Sequence, residues 1–202
     1  MIKKLLNNKE VIRWCYEPIT KYSLLNTSNK TNLEVAKTQE DCWGNKIIGT
    51  KNNVQWTTNF CQDLVMEALI FLKKKNVRKS KSIQSSVIDK DYQLDLECDD
   101  YIYEVKGRNW STPGTAGEKI LGVPLKYGEL PRLCKKPLQI VLVGYQEHEA
   151  REGFGFGDLF GKNKQTPEIK ESLDFYKKHK IEYIAFTDIL KEIGYPNGCW
   201  KK

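Results

Sequence analysis

The amino-acid sequence predicts a chain of the α/β (α+β) class, in which helices flank a mixed central sheet. Three observations lead to this prediction. An apolar run with helical spacing begins near residue 59, two runs of alternating polar and apolar residues surround a short acidic turn, and a fully apolar run starts at Leu138. Helix and strand segments therefore alternate along residues 59–202, which we assign to one core domain. We expect residues 1–58 to be an accessory N-terminal region packed on that domain.

The first predicted helix follows Thr57, Thr58 and Asn59, residue types that favour the N-cap of a helix. The apolar side chains behind them recur at the intervals of one helix face; they are Leu64, Val65, Ala68, Leu69 and Leu72. Lysines at 73–75 follow, where the helix macrodipole favours positive charge. The sequence therefore predicts a helix along this run.

A hairpin and a buried strand are predicted next. Tyr92–Glu97 and Tyr101–Lys106 both alternate with a period of two, and the polar residues 98–100 between them predict the turn of a β-hairpin. Residues 111–134 contain glycines and prolines with short helical pieces. The apolar run Leu138–Val143 is typical of a strand at the centre of a sheet.

The C-terminal part adds a helix, a strand and a second helix. Thr166–Pro167 is a typical helix start, because proline is favoured in the first turn. Glu182–Phe186 alternates as a strand, and a short helix is predicted from Thr187–Asp188. The whole order supports a mixed sheet packed against helices.

Composition limits the class of protein. With 202 residues, of which 40% are hydrophobic, the chain is long enough for one domain with a full apolar core. The sequence holds no apolar run of about 18–20 residues that would span a bilayer, and no apolar segment follows the N-terminal lysines, so we expect a soluble, cytoplasmic protein. Its six cysteines lie far apart without a CxxC pair, which argues against a disulfide scaffold or a zinc finger.

Charge and histidine content limit the chemistry. The formal net charge of +7 favours an anionic partner such as the phosphate backbone of a nucleic acid, although lysine-rich surfaces also serve solubility alone. His148 and His179 are the only histidines in the sequence, which nearly excludes zinc hydrolases and nucleases of the His-Asn-His class. Any catalytic metal must therefore be held by carboxylates.

The predicted hairpin places acidic side chains opposite one another. If its loop is centred between Asp99 and Asp100, the numbers of paired residues add up to 199, and Asp95 lies directly opposite Glu104. Lys106 shares this face, because side chains alternate along a strand. Two facing carboxylates repel each other unless a cation neutralises them, and Mg²⁺ prefers such hard oxygen ligands. Together with the amine they form a complete set of groups for hydrolysing a phosphodiester.

A second match to the same acidic pattern lies at Asp158 and Glu168–Lys170. It spans Thr166–Pro167, which predicts the start of a helix, so its residues would not share the face of a strand. A chain with 29% charged residues also produces such matches by chance. We therefore assign the site to the first match, which has the hairpin context.

Further segments of the chain form a recognisable pattern. They are Gln55–Thr58, Asp95–Glu97, Tyr101–Lys106, Trp110–Pro124 and Pro131–Leu133. This pattern resembles the PD-(D/E)XK nuclease superfamily, and in particular type II restriction endonucleases of large DNA viruses of algae. The superfamily motif is loose, whereas the Gly-Thr-Ala-Gly-Glu-Lys run beside Glu-Val-Lys is more specific. The resemblance implies a restriction-endonuclease-like arrangement of the sheet and helices.

The resemblance also implies which residues form the site. The two metal-binding acids fall on Asp95 and Glu104, the catalytic lysine falls on Lys106, and the Val105 carbonyl is a further ligand for Mg²⁺. Leu94 stands where the family motif often has proline. The first helix of such enzymes often supplies another acid or a supporting residue near the metal. The candidates here are Gln62, Asp63 and Glu67.

Basic and aromatic residues beyond the hairpin are candidates for contacts with DNA. Arg108 and Trp110 directly follow the catalytic strand, and Lys119 lies at the start of a helix in a Gly-rich context, where backbone N–H groups bind phosphate. Farther along the same segment lie Lys126, Tyr127 and Arg132. Packing, surface or dimer roles are equally compatible with these positions.

The acidic constellation and the resemblance together predict a Mg²⁺-dependent type II restriction endonuclease that cuts double-stranded DNA at a short specific sequence. Because two subunits of such enzymes commonly contact the two strands of a palindrome, we expect a homodimer. A cognate DNA methyltransferase acting on the same site would protect the host genome. Two alternatives remain open: a structure-specific nuclease of DNA repair or recombination, and a non-catalytic DNA-binding protein on the same fold.

Overall fold

The computed structural model of the chain describes residues 5–17, 30–48, 57–107, 120–152, 158–161 and 165–195. The helices in these segments are α1 (Lys9–Tyr16), α2 (Lys30–Ile48), α3 (Thr57–Phe71), α4 (Val123–Lys126), α5 (Leu130–Cys134), α6 (Tyr145–Glu152), α7 (Pro167–Lys178) and α8 (Phe186–Glu192), and a 3-10 turn spans Leu5–Asn7. The strands are β1 (Arg78–Lys79), β2 (Ile83–Gln84), β3 (Asp91–Tyr92), β4 (Leu96–Glu97), β5 (Ile102–Gly107), β6 (Leu138–Val143) and β7 (Ile181–Ala185).

A mixed sheet of five strands, in the order β1-β4-β5-β6-β7, lies at the centre of the described chain. The strands β1, β4 and β5 pair antiparallel, whereas β5, β6 and β7 pair parallel. The strands β2 and β3 form a separate antiparallel pair outside this sheet. The predicted class, a mixed α/β sheet flanked by helices, is therefore confirmed.

The central strands separate two apolar cores, because successive side chains point to opposite faces of a strand. In β5, Tyr103 and Val105 face the core formed with α1, α3 and α8, while Ile102 faces the core formed with α4, α5 and α7. The strand β6 alternates between the same two cores. This explains why Leu138–Val143 is apolar at nearly every position, as a strand buried on both faces requires.

The described part of the N-terminal region contributes directly to the first of these cores. Trp14 of α1 is 2% exposed and packs edge-to-face on Phe60 of α3, with ring centroids 5.4 Å apart. Its indole N–H donates to Glu40 of α2 at 2.9 Å, so the polar edge of the ring is also satisfied. The region predicted as accessory therefore supplies part of the core on which the sheet packs.

Several predicted elements are confirmed at or near their expected bounds. The helix α3 begins at Thr57 and ends at Phe71, shortly before Lys73, where the backbone turns left-handed with a φ of 57°. The strand β6 covers the whole predicted run, and α7 begins at Pro167 behind Thr166, whose side chain caps the helix. The elements β7 and α8 each begin one residue earlier than predicted.

The first predicted strand of the hairpin, Tyr92–Glu97, is not continuous, and this prediction is wrong. Asp91–Tyr92 form β3 and pair with β2, whereas Leu96–Glu97 form β4 and pair with β5. The break has a local cause: the N–H of Val105 donates to the side chain of Asp95 at 2.6 Å instead of to a strand carbonyl, so the regular ladder ends there. The alternating pattern did not reveal this change of partner, because both halves of the run keep it.

The helix α6 is an element that the sequence pattern did not predict. Most of its residues are polar or charged, so no apolar stripe marks it as a helix. It begins directly after Gly144, whose φ of 60° turns the chain out of β6.

The described helices and cysteines bear on membrane insertion and on disulfide formation. None of the described helices is both long and apolar enough to cross a bilayer. The described cysteines are free thiols; they are Cys15, Cys42, Cys61, Cys98 and Cys134.

Gly144→Ala should destabilise the protein, because position 144 has a left-handed backbone and leaves no room for a side chain. Its φ is +60°, and a Cβ atom there would lie 2.7 Å from the Trp14 ring. We expect the free energy of unfolding to fall by about 2–6 kcal/mol, the sum of backbone strain and overpacking. Urea denaturation followed by circular dichroism measures this loss.

Gly161→Ala is the matched control, since its φ is +73° but nothing in the described structure lies within 4 Å of the added carbon. It shares the backbone strain and lacks the crowding. Equal losses in the free energy of unfolding for the two variants would contradict the close approach of Trp14 to position 144.

Candidate functional site

The antiparallel pair β4–β5 brings the predicted acids together. Its pairs are Leu96 with Tyr103 and Glu97 with Ile102, so the numbers of paired residues add up to 199, as predicted. Continued beyond β4, this register places Asp95 opposite Glu104, and the N–H of Asp95 donates to the carbonyl of Tyr103 at 3.2 Å. Both acids therefore lie where the regular ladder ends.

Two donors hold the carboxylate of Asp95, which is half-buried. Gln62 Nε2 on α3 donates to Oδ1 at 2.5 Å, and the backbone N–H of Val105 donates to Oδ2 at 2.6 Å. Burial raises the pKa of Asp95, because desolvation disfavours the charged form, while the Val105 hydrogen bond and the charge of Lys106 act in the opposite direction. The acid is therefore oriented from two sides, with a cation nearby.

Glu104 is more deeply buried than Asp95, with 3% of its surface exposed. Its Oε1 accepts from Lys106 Nζ, and the Tyr127 hydroxyl lies 3.4 Å from the same oxygen. Its Oε2 is buried and has no hydrogen-bond partner among the described residues. Burial raises the pKa of Glu104, the charge of Lys106 opposes this shift, and the negative charge of Asp95 adds to it. A buried carboxylate oxygen without a partner is costly, and a cation would satisfy it.

Lys106 lies at the boundary between this buried acid and the solvent. Its side chain is 36% exposed, against 4% for the side chain of Glu104. The two residues share a strand face, because they are two positions apart on β5. The ammonium therefore contacts the buried carboxylate and also faces the solvent from which a substrate would approach.

Gly107, directly after Lys106, lets α3 approach the sheet closely. A Cβ atom at position 107 would lie 2.3 Å from Cys61 Sγ. Cys61 precedes Gln62 on α3, so the same close approach brings Gln62 to Asp95. A residue without a side chain at position 107 is therefore part of how the site is built.

The three candidates on the first predicted helix, which is α3 in the structure, have different partners. Gln62 contacts Asp95, as described above. Asp63 forms an ion pair with Lys79 at 3.6 Å. Glu67 accepts the backbone N–H of Leu6 at 3.0 Å, which anchors the N-terminal 3-10 turn to α3. The supporting side chain that this helix brings to the predicted metal ligands is thus an amide rather than an acid.

Residues at the end of the short helix α4 join the site. The Tyr127 hydroxyl lies 3.4 Å from Glu104 Oε1 and 3.2 Å from the carbonyl oxygen of Gln93, and Lys126 Nζ donates to this hydroxyl at 2.8 Å. The sequence analysis named Lys126 and Tyr127 among the candidates beyond the hairpin, with packing and dimer roles also open, and placed neither of them beside Glu104. The signal that pointed to this region was the family-like run Trp110–Pro124 just before it.

Of the remaining candidates for DNA contacts, Arg132 lies within the described residues. The guanidinium of Arg132 is exposed, and it donates to Ser86 Oγ at 2.6 Å and to Glu129 Oε2 at 3.3 Å. It thereby links α5 to the loop between β2 and β3. Three further candidates lie outside the described residues, and their roles stay predictions; they are Arg108, Trp110 and Lys119.

The second acidic pattern does not assemble into a site. Asp158 is fully buried, and its Oδ1 accepts the backbone N–H of Phe160 at 2.9 Å. Glu168 and Lys170 lie in the first turns of α7. The prediction that these residues do not share a strand face is confirmed.

A cavity of about 550 Å³ lies beside β7, between α7 and α8. Its walls include Leu159, Leu173, Tyr183 and Ile189. Asp95, Glu104 and Lys106 are not part of its lining. The carboxylate cluster is therefore separate from this cavity.

The donor set around Asp95 and Glu104 suits a hard divalent cation. The described residues include no group of three or more His, Cys, Asp and Glu side chains that could hold a metal ion. A cation here would therefore take further ligands from a backbone carbonyl, water or a substrate phosphate, as Mg²⁺ commonly does. The N–H of Val105 faces Asp95, and the N–H and C=O of one strand residue point to the same edge, so the Val105 carbonyl also lies on this edge.

No family model, curated protein or solved structure matches the chain. The interpretation of the cluster therefore depends on its own geometry. It combines two carboxylates, one of them with a buried oxygen that lacks a described partner, and an ammonium at the solvent boundary. Such a set can bind a divalent cation, contact a phosphate oxygen and orient a water molecule.

Glu104→Gln should stabilise the protein when divalent cations are absent. Burial raises the pKa of Glu104 in the folded state, so this state binds more protons than the unfolded chain, and the free energy of unfolding falls as the pH rises above the ordinary value of 4.5. The variant lacks this charge. At pH 8 in EDTA, we expect the Tm of the variant to exceed that of the wild type by about 2–4 °C for each kcal/mol by which its free energy of unfolding is higher. In acid, the difference in Tm should be smaller. Thermal unfolding followed by fluorescence measures both values.

Glu97→Gln serves as the control for this comparison. Glu97 lies on the neighbouring strand, and its carboxylate forms an ion pair with Arg78 at 2.6 Å. Its substitution should not raise the Tm. A Tm for Glu104→Gln at or below the wild-type value at pH 8 would show that burial of this acid is not costly.

Proposed function

We propose that this chain is a Mg²⁺-dependent type II restriction endonuclease, which hydrolyses phosphodiester bonds of double-stranded DNA at a short specific sequence. The observation that carries the proposal is the convergence of Asp95, Glu104 and Lys106 at the end of one strand pair. These are the residues on which the PD-(D/E)XK resemblance places the metal-binding acids and the catalytic lysine. The mixed sheet with a core on each face supports a restriction-endonuclease-like fold.

The residues present fit Mg²⁺. Asp95 and Glu104 would hold the ion, with the Val105 carbonyl as a further ligand, and all of these donors are hard oxygens. When bound, the ion supplies Lewis-acid polarisation of the phosphate and a lower pKa for a coordinated water. Burial raises the pKa of both carboxyl groups, so a neutralising cation also removes part of the cost of ionising them.

Lys106 is the residue that acts directly on the reacting groups. Its ammonium is a donor only, with three N–H groups, and its contact with Glu104 Oε1 holds it beside the acids. Because the side chain is partly exposed, the ammonium is able to donate to an oxygen of the scissile phosphate as negative charge develops there. It would also orient the attacking water beside the phosphorus atom.

Gln62 orients Asp95 without adding a third negative charge. Its amide donates to Oδ1, opposite the backbone donor at Oδ2, so both oxygens of the carboxylate have fixed directions. Because the carboxylate of Asp95 is preorganised in this way, less free energy is needed to order the site when substrate binds. The site then carries two acids and one catalytic amine.

The proposed substrate and partners follow from charge and symmetry. A net charge of +7 supports binding to an anionic polymer, and the exposed Lys126 adds positive charge beside the site. A homodimer would present two sites to the two strands of a palindrome. A DNA methyltransferase of the same sequence specificity is the expected partner in the cell, since it would protect host DNA.

Incubation of the purified chain with unmethylated plasmid and phage DNA, in Mg²⁺ or in EDTA, tests this proposal. We expect discrete fragments in Mg²⁺ and intact DNA in EDTA, as separated on an agarose gel. Cleavage confined to branched or flapped DNA would favour the structure-specific nuclease. Binding to duplex DNA without cleavage of any substrate would favour the non-catalytic DNA-binding protein.

Lys106→Ala should abolish cleavage while leaving DNA binding largely intact. The substitution removes the donor beside the scissile phosphate, and we expect the cleavage rate to fall by at least about 10²–10³-fold. Lys177→Ala is the control, because Lys177 is a surface residue of α7 whose contact is an ion pair with Glu182. Cleavage by Lys106→Ala at the rate of this control would remove Lys106 from the mechanism.

A further inference from the structure

Tyr127 lies where the two acid-bearing segments of the site come together. Its hydroxyl oxygen is 3.4 Å from Glu104 Oε1 on β5 and 3.2 Å from the carbonyl oxygen of Gln93. Gln93 lies two residues before Asp95 in the chain. A single hydroxyl therefore contacts both of the segments whose spacing determines the distance between the carboxylates.

Packing determines where this hydroxyl lies. Tyr127 is 3% exposed within the core that β5 and β6 form with α4, α5 and α7. Its ring packs edge-to-face on Tyr92, with centroids 5.9 Å apart, and Lys126 Nζ lies 4.5 Å from the ring centroid. Because the ring is enclosed in this way, the hydroxyl has a fixed position relative to the sheet.

Lys126 determines the direction in which the Tyr127 hydroxyl donates. Its Nζ lies 2.8 Å from the hydroxyl oxygen, and an ammonium is a donor only, so Tyr127 must accept this hydrogen bond. The phenolic hydrogen is then directed to an acceptor. Among the described residues, the acceptors within reach are Gln93 O and Glu104 Oε1.

The two oxygens of Glu104 are consequently unequal. The contacts from Lys106 and Tyr127 both fall on Oε1, whereas Oε2 is buried without a partner among the described residues. A carboxylate held through one oxygen presents the other in a fixed direction. The arrangement therefore reserves one atom of Glu104 for a ligand.

We infer that Tyr127 is a positioning residue, which holds the Glu104 carboxylate at a set spacing from Asp95 and leaves Oε2 of Glu104 as the atom that binds a divalent cation. Lys126 orients the hydroxyl that does this. The inference rests on the proposed function, because it concerns the same metal site. In this role Tyr127 acts through Glu104 and does not touch the substrate.

Binding of Mn²⁺ to the full-length chain, followed by the electron paramagnetic resonance of the free ion, tests the inference without relying on activity. Tyr127→Phe keeps the ring and removes the hydroxyl, and we expect the dissociation constant for Mn²⁺ to rise by about 10–100-fold, as for other residues that orient metal ligands. Tyr92→Phe is the matched control. Tyr92 belongs to the same cluster, but its hydroxyl contacts Glu129, so its Mn²⁺ affinity should stay at the wild-type value.

The Mg²⁺ dependence of cleavage provides a second readout. In Tyr127→Phe, the Mg²⁺ concentration for half-maximal cleavage should rise by the same factor, while the rate at saturating Mg²⁺ and the affinity for DNA stay near wild-type values. A rate that is reduced equally at every Mg²⁺ concentration would indicate a purely structural role and overturn the inference. Circular dichroism and the Tm show that each Phe variant is folded.

The outcomes separate this inference from the proposal on which it rests. Equal Mn²⁺ binding by the wild type and Tyr127→Phe overturns the inference alone. No Mn²⁺ binding by the wild type, with or without DNA, overturns the metal site and the inference together. Tighter Mn²⁺ binding by the wild type and by Tyr92→Phe than by Tyr127→Phe supports the inference.

Discussion

The hydrogen bond from the backbone N–H of Val105 to the carboxylate of Asp95, 2.6 Å long, is the interaction on which the arrangement of the site depends. A backbone N–H inside a sheet must find an acceptor, and here a side chain takes the place of a strand carbonyl. The strand β4 is therefore short, and the acid before it faces β5 beside Glu104. One bond thus ends the regular pairing and orients the first carboxylate.

Glu104 occupies a position where the alternation of β5 calls for an apolar residue. Ile102, two residues earlier on the same face, is fully buried in the core with α4, α5 and α7. An acid at 3% exposure opposes stability, as the direction of its pKa shift indicates, and Lys106 offsets this cost only in part. Proteins retain such departures from the local pattern mainly at functional positions, where the cost accompanies activity.

The separate β2–β3 pair is connected to the same cluster through α4 and α5. Glu129 accepts from the hydroxyl of Ser86 at 2.9 Å, and Arg132 donates to that hydroxyl at 2.6 Å. Tyr92 of β3 packs against Tyr127, whose hydroxyl contacts the buried acid. The loop between β2 and β3, the short helices and the buried acid are therefore joined by hydrogen bonds and by one aromatic contact.

The sequence by itself predicted the register of the hairpin, because a period of two and a turn centred between Asp99 and Asp100 pair residues whose numbers add up to 199, and β4 and β5 have this register. It also determined α3, β6 and α7, whose apolar spacing and capping residues are local signals. Only the tertiary structure decided that Gln62, rather than its acidic neighbours, contacts Asp95, and that Tyr127 contacts Glu104. These contacts join residues 33 and 23 positions apart. Local periodicity specifies which face of an element is buried, but the side chain that this face meets depends on how distant elements pack.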